Sequence, residues 1–352
     1  MDTGIIKKRI KAIRYQLKKR QIKSLLVTKP ANVTYTTGFL GDDSWVLITD
    51  RAVYLLTDSR YTEQAKSQCC CTVIQRRETM AEAAAKLLKK LKSAQTVAVE
   101  KSVSLAAFES LKKHVKVRLK AVANIIESAR SIKDKSEVAA ISAAAQIAAQ
   151  ALRQTLVYIK PGITENELAG RLDFQIRKAD AANSFETIIA FGPNASRPHH
   201  QPTSRKLKKN DAVLIDFGVK YKGYCCDITR CFIVGRPNPF YKKVYAAVQE
   251  AQTAALKMIK AGVAAKKVDA AAREIIGKYN LPVYGHGTGH GLGLEIHEEP
   301  VIYAGNKAKL QPGMVFTVEP AVYIPGKLGV RIEDDVLVTK TGFKILTRNC
   351  PH

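Results

Sequence analysis

The second half of the chain repeats itself about 100 residues on, and this repeat limits the available folds more than any other feature. A helical pattern over 136–158 ends at Pro161–Gly162, and a second helix over 165–179 follows. Thr164 and Glu167 stand at capping-box spacing at its start. Two strand-like segments come next, AVLIDFGVKY with Asp216 and GYCCDITRCFIV with Asp227. The pattern then returns. A helix over 239–260 ends at Ala261–Gly262, a helix over 266–278 follows, and the strands MVFTVEPAVYI and GVRIEDDVLVT carry Glu319 and Glu333. The acids are offset by 103 and 106 residues, close to the 100 that separates the two glycine junctions. Two helix–helix–hairpin units of this kind set four acids around a shared pseudo-two-fold centre. A chance echo of helical periodicity would not align the acids as well.

Those acids sit in apolar company. Leu214, Ile215 and Phe217 flank Asp216, and Phe316, Val318 and Pro320 flank Glu319. A lone carboxylate there would lose several kcal/mol of solvation or take up a proton. For one acid, a salt bridge to a basic residue is the ordinary explanation. Four acids at duplicated positions call for cations, and His290, framed by glycines in GTGHGLG, supplies an imidazole that a metal can approach closely. Asp216, Asp227, His290, Glu319 and Glu333 therefore form a candidate site for two divalent ions. Five of the seven histidines cluster, His199 and His200 in one group and His286, His290 and His297 in the other. His200, His286, His114 and the terminal His352 read as ordinary polar residues. The glycine-rich stretch has neither the register nor the Lys-Ser/Thr ending of a phosphate loop.

The first part of the 352-residue chain reads differently. Ile6, Ile10, Ile13 and Leu17 predict an amphipathic helix over 3–23. Strands are expected over 24–29, 45–49, 52–58, 72–75 and 96–100, with helices over 79–93 and 104–114 and a loop after Pro30. This alternating α/β unit ends near residue 128, and Trp45 is expected in its core. No apolar run approaches the ~18 residues of a membrane span, and no signal peptide is read, which points to the cytoplasm. Seven cysteines with no CxxC pair predict free thiols, and no histidine stands near Cys69–Cys71 to complete a metal site. The net charge of +26 is densest early, where residues 1–130 carry 26 Lys+Arg against 11 Asp+Glu. The basic runs lie on amphipathic helices without interleaved aromatic platforms, which argues for solvated faces and against nucleic acid.

The motifs LIDFG, CDITR, HGTGHGLGLEIHE, TVEPAVYIPG and GVRIEDD resemble, in order, the metal-binding motifs of the pita-bread metallopeptidases, the family of Xaa-Pro aminopeptidase, prolidase and methionine aminopeptidase. The resemblance spans about residues 128–350, and the preceding unit is similar to the N-terminal domain of the proline-specific members. The fold implied is α+β, with an N-terminal α/β domain over 1–128 and a duplicated pita-bread catalytic domain over 129–352. By motif, Asp216, Asp227 and Glu333 would bind one ion, and Asp227, His290, Glu319 and Glu333 the other. Manganese is implied first, with cobalt or zinc as alternatives. The pair of ions would make hydroxide available near neutral pH from a shared water. Glu319 would pass the proton, His199 and His297 would steady the substrate carbonyl, and Arg331 would orient the ligands. A homodimer is also implied.

The N-terminal unit argues against methionine aminopeptidase. Prolidases similar to this chain often carry an arginine in HEWPRI, where HEEPVI here has Val301. That difference favours an Xaa-Pro aminopeptidase acting on longer peptides with proline second, with prolidase as the alternative. A non-catalytic basic binding module is the reading from another class.

Overall fold

The computed structural model describes residues 3–91 and 96–351, so His352 and the last two positions of the helix expected over 79–93 lie outside the described residues. The chain divides into two compact units, Met1–Arg130 and Ser131–His352.

The first unit runs α1 (Thr3–Lys19), β1 (Ser24–Val27), α2 (Pro30–Thr37), β2 (Trp45–Thr49), β3 (Val53–Thr57), α3 (Thr62–Gln68), β4 (Thr72–Gln75), α4 (Met80–Lys90), β5 (Thr96–Glu100), α5 (Leu105–His114), β6 (Arg118–Val122) and α6 (Ile126–Arg130). Its six strands lie in the order β4-β3-β2-β1-β5-β6. Leu26, Leu47, Leu56, Val97 and Val99 bury one face of this sheet against Leu87, Leu88 and Leu111 of α4 and α5. Trp45 is only partly buried and packs against this cluster rather than inside it.

The segment after Pro30, expected as a loop, is helix α2. Its β-branched residues disfavour a helix by propensity, but tertiary burial of Asn32, Val33, Tyr35, Thr36 and Thr37 overrides it. Pro30 fits the first turn. Thr36 and Thr37 donate their hydroxyls back to Asn32 O and Val33 O, at 2.8 and 2.7 Å. Gly38, at φ 81°, closes the end by donating to Thr34 O.

The second unit runs α7 (Lys135–Leu156), α8 (Glu165–Lys178), β7 (Ala182–Asn183), β8 (Ile188–Phe191), β9 (Ala212–Phe217), β10 (Val219–Tyr221), β11 (Tyr224–Cys225), β12 (Ile228–Ile233), α9 (Pro239–Lys257), α10 (Ala265–Lys278), β13 (Gly289–Gly291), β14 (Glu298–Ile302), β15 (Val315–Val318), β16 (Ala321–Ile324), β17 (Leu328–Arg331), β18 (Asp334–Val338) and β19 (Phe343–Ile345). The repeat extends to individual hydrogen bonds. Gly162 N donates to Leu207 O at 2.9 Å and Gly262 N to Leu310 O at 2.8 Å. Leu207 N and Leu310 N donate to Ile163 O and Val263 O, each at 2.8 Å. The Thr164–Glu167 capping box forms as expected.

Strand alternation then aims the acids. Val213, Ile215 and Phe217 of β9 pack with the first helix pair, so Ala212, Leu214 and Asp216 point the other way. Phe316 and Val318 of β15 pack with the second pair, so Thr317 points back. The inward faces of the two hairpins therefore meet. One detail departs from the sequence alignment of the repeats. Asp216 pairs with Thr229, two residues beyond Asp227, whereas the residue two beyond Glu333, Asp335, pairs with Thr317. The strand equivalent of Asp216 is thus Thr317, and Glu319 sits two positions further along, just past the end of β15.

Glu165, buried at the start of α8, binds the first unit of the repeat together. It accepts from Phe191 N, Asn194, His200, Thr203 N and the Thr203 hydroxyl. Burial raises its pKa, but these donors outweigh burial and hold the carboxyl below its usual value. A depressed carboxyl stabilises the fold above its unfolded pKa, and that contribution fades as pH falls through the folded value. Glu165→Gln is expected to lower stability by about 2 kcal/mol at neutral pH. In denaturant titrations the gap to wild type should narrow below about pH 4.

Candidate metal centre

Asp216 lies on β9 and Asp227 one residue before β12. Glu333 stands one residue before β18, Glu319 just past β15, and His290 at the middle of β13. Donor atoms of Asp227, His290 and Glu333 lie within 4.8 Å of one another. His290 Nε2 is 3.6 Å from both Asp227 Oδ2 and Glu319 Oε1, which brings Glu319 into the group. Asp216 enters through its charge, which both Asp227 and Glu333 feel. The structure therefore gathers all five residues, three tightly and two at the margin.

His290 can stand here because its neighbours lack side chains. A Cβ on Gly289 would run into the Thr317 carbonyl, and one on Gly291 into the Glu299 carbonyl. Only glycine lets β13 slot between β14 and β15. His290 N donates to Thr317 Oγ1 at 3.1 Å, and that hydroxyl donates to Glu319 Oε1 at 3.3 Å. The His290 Nδ1 lies 3.1 Å from Gly291 O; a proton on Nδ1 satisfies that carbonyl and leaves the Nε2 lone pair free to ligate a metal ion.

A ring of hydrogen bonds orients the acids. Arg331, on β17, pairs with Asp216 Oδ2 and donates through Nε to Thr229 Oγ1 at 3.0 Å. Thr229 in turn donates to Glu333 Oε2 at 2.6 Å. Arg331 also donates to Tyr323 Oη and to Pro198 O, next to His199. Asp335 accepts from Asp227 N at 3.0 Å. The fully buried Arg230 ties Glu333 O to Asp334 Oδ1, at 2.6 and 2.7 Å. The sequence singled out Arg331 but not Thr229, Thr317, Tyr323 or Asp335.

Burial, followed by the neighbouring carboxylates, pushes Asp227 and Glu333 well above the usual carboxyl range. Burial lifts Glu319 to about 7. Burial also pushes His290 down to about 4, so its imidazole is neutral at physiological pH. Asp216 Oδ1 and Asp227 Oδ1 are buried and accept no hydrogen bond. Arg331 is the one cation hydrogen-bonded to any of the four acids among the described residues. Four carboxylates, one guanidinium and a neutral imidazole leave negative charge and orphaned oxygens that divalent cations satisfy. The donor set fits.

His297 and His199 lie at the exposed rim. The His297 ring centroid is 4.2 Å from that of His290, and burial lowers the His297 pKa. His200 is buried on Glu165, the satisfied polar role expected of it. His286 belongs closer to the site than expected. Its Nδ1 is 3.8 Å from Glu319 Oε2 and its Nε2 is 3.3 Å from Tyr323 Oη. Burial pushes it down to about 4.

Buried, duplicated carboxylates with a glycine-framed histidine define a metallopeptidase-like centre, and comparison with known proteins agrees. The description of metallopeptidase family M24 matches residues 139–340, and that of the creatinase/prolidase N-terminal domain matches residues 9–132. The chain belongs to the M24 metallopeptidases. It is 35% identical to the Xaa-Pro dipeptidase of Pyrococcus horikoshii, over 98% of both chains. The solved Xaa-Pro dipeptidase from Bacillus anthracis superposes with a TM-score of 0.94 at 36% identity, covering 97% of this chain and 98% of that one. The X-Pro aminopeptidase from Thermotoga maritima superposes at 0.86 with 37% identity, covering 94% and 97%.

Thr229→Val removes the hydroxyl between Arg331 and Glu333 with little change in shape. It is expected to weaken divalent-ion affinity by about 10–100-fold, read by calorimetric titration with manganese, while circular dichroism shows the fold retained.

Proposed function

We propose that the chain is a two-metal Xaa-Pro dipeptidase, hydrolysing the peptide bond that precedes a proline. The carrying observation is the group of five buried or part-buried metal-type donors in a chain that matches Xaa-Pro dipeptidases over nearly its whole length. Val301 had favoured an aminopeptidase. It is one exposed residue on β14, set against Xaa-Pro dipeptidases of two Pyrococcus species and of Bacillus anthracis that each match over nearly the whole chain. The Thermotoga maritima aminopeptidase keeps the longer-peptide activity as the second reading.

Asp216, Asp227 and Glu333 would hold one divalent ion, and Asp227, His290, Glu319 and Glu333 the other, with manganese first and cobalt or zinc as alternatives. When bound, such ions supply Lewis acidity and lower the pKa of water. The remaining work falls to the chain. Glu319, part-buried with a carboxyl pushed up to about 7, is placed to take a proton and return it to the leaving amine. His199 and His297, at the rim, would face the carbonyl oxygen as it gains charge. Arg331, fixed on Asp216 and Thr229, keeps the acids in register. The intact donor set favours an enzyme over a purely binding role.

Two outcomes are expected. Chelator should abolish hydrolysis of Ala-Pro, manganese should restore it, and Asp227→Asn should lower kcat by about a thousandfold or more; full activity in chelator contradicts the metal reading. kcat/KM for Ala-Pro should exceed that for Ala-Pro-Ala by about tenfold or more, and the reverse order would support the aminopeptidase.

A further inference from the structure

The hydrolytic site leaves the large positive charge without a role. Residues 3–41 contain no Asp or Glu. Helix α1 buries Ile6, Ile10, Ile13 and Leu17, and it commits two of its basic residues internally. Arg9 is buried, stacked 4.2 Å from the Tyr35 ring, and Arg14 donates to Thr49 O at 2.7 Å. The others stay outside. Lys7, Lys8, Lys11, Lys18 and Lys19 are all exposed, and no acidic side chain pairs with any of them among the described residues.

At 100° per residue Lys8, Lys11, Lys18 and Lys19 fall on the side away from the apolar stripe, with Lys7 on its flank. Tyr15 lies in the middle of that face, 57% exposed, with Lys19 Nζ 4.6 Å from its ring centroid. The expectation that no aromatic interleaves the basic runs does not hold: Tyr15 stands within the first run, and the fold turns its ring outward among the lysines. The surface does not end with α1. Arg20, also exposed, donates to Ala123 O at 3.1 Å, just past β6. That strand forms the sheet edge and exposes Arg118 and Lys120.

We propose that the outer face of α1, Lys8, Lys11, Lys18 and Lys19 around Tyr15, binds single-stranded RNA. Lysines spread over about three turns of one helix face can engage phosphates along a strand, and an exposed ring among them gives a base a surface to stack on. A membrane fits less well. The apolar stripe that would enter a bilayer is already spent on the core of the unit, and an exposed tyrosine in a lysine field suits a base better than a lipid tail.

The test uses the full-length protein and a fluorescein-labelled RNA of about 20 nucleotides, with anisotropy read across a salt series. The variant Lys8→Gln/Lys11→Gln/Lys18→Gln/Lys19→Gln should bind at least about tenfold more weakly at low salt, with the log–log salt slope reduced by about three. Tyr15→Leu should weaken binding about fivefold or more while leaving that slope unchanged. Dipeptide hydrolysis and circular dichroism should match wild type in both. A control removing four exposed lysines elsewhere, Lys242→Gln/Lys243→Gln/Lys266→Gln/Lys267→Gln, should have a much smaller effect. The proposal is overturned if the control loses as much affinity as the α1 variant, if RNA is not bound, or if phosphatidylserine vesicles bind and RNA does not.

Discussion

Four carboxylates drawn into one buried pocket against a single arginine set the terms for the rest of the catalytic unit. Asp216, Asp227, Glu319 and Glu333 crowd together, and burial with the neighbouring negative charge penalises the ionised forms of Asp227, Glu319 and Glu333. Such a cluster persists only where the surrounding structure fixes it and a cation completes it. Most of the polar architecture nearby follows from this requirement. Arg331 neutralises Asp216, Thr229 links that guanidinium to Glu333, and Asp335 and Arg230 hold the backbone on either side of the acids.

The duplication explains how one chain assembles such a pocket. Each helix pair buries one face of its own hairpin, so each hairpin turns its alternate residues toward the other. Asp227 and Glu333 enter at equivalent points, immediately before β12 and β18. The halves then diverge. The second uses Thr317 where the first has Asp216, and it gains Glu319 two residues further on, together with His290 on a strand narrow enough to need glycine on both sides. A symmetric scaffold thus carries an asymmetric site.

Much of this was legible in the residues. Helical periodicity with glycine junctions located four helices of the catalytic unit, and acids in apolar strands marked the centre. Helix α2 was not legible, because Val33 and its run of threonines read against a helix and only burial with back-bonded hydroxyls makes one. Thr229, Thr317 and Tyr323 were missed for another reason. Polar residues are common in strands, and their roles appear only once the register sets Thr229 beside Asp216 and Thr317 beside Asp335. His286 looked ordinary because its neighbours, Glu319 and Tyr323, lie more than thirty positions away. The choice between dipeptidase and aminopeptidase rested in the sequence on Val301 alone, a single exposed residue of β14.

The most direct measurement is the number of protons released when the metal-free protein binds manganese near pH 6.5, obtained by calorimetry in buffers of different ionisation enthalpy. Carboxyls held protonated by burial and mutual repulsion must give up those protons to ligate a cation. About one to two protons per protein are expected, falling when Asp227 or Glu333 is replaced by its amide. Binding with no proton release, or release unchanged in those variants, would contradict a metal centre built from these buried acids.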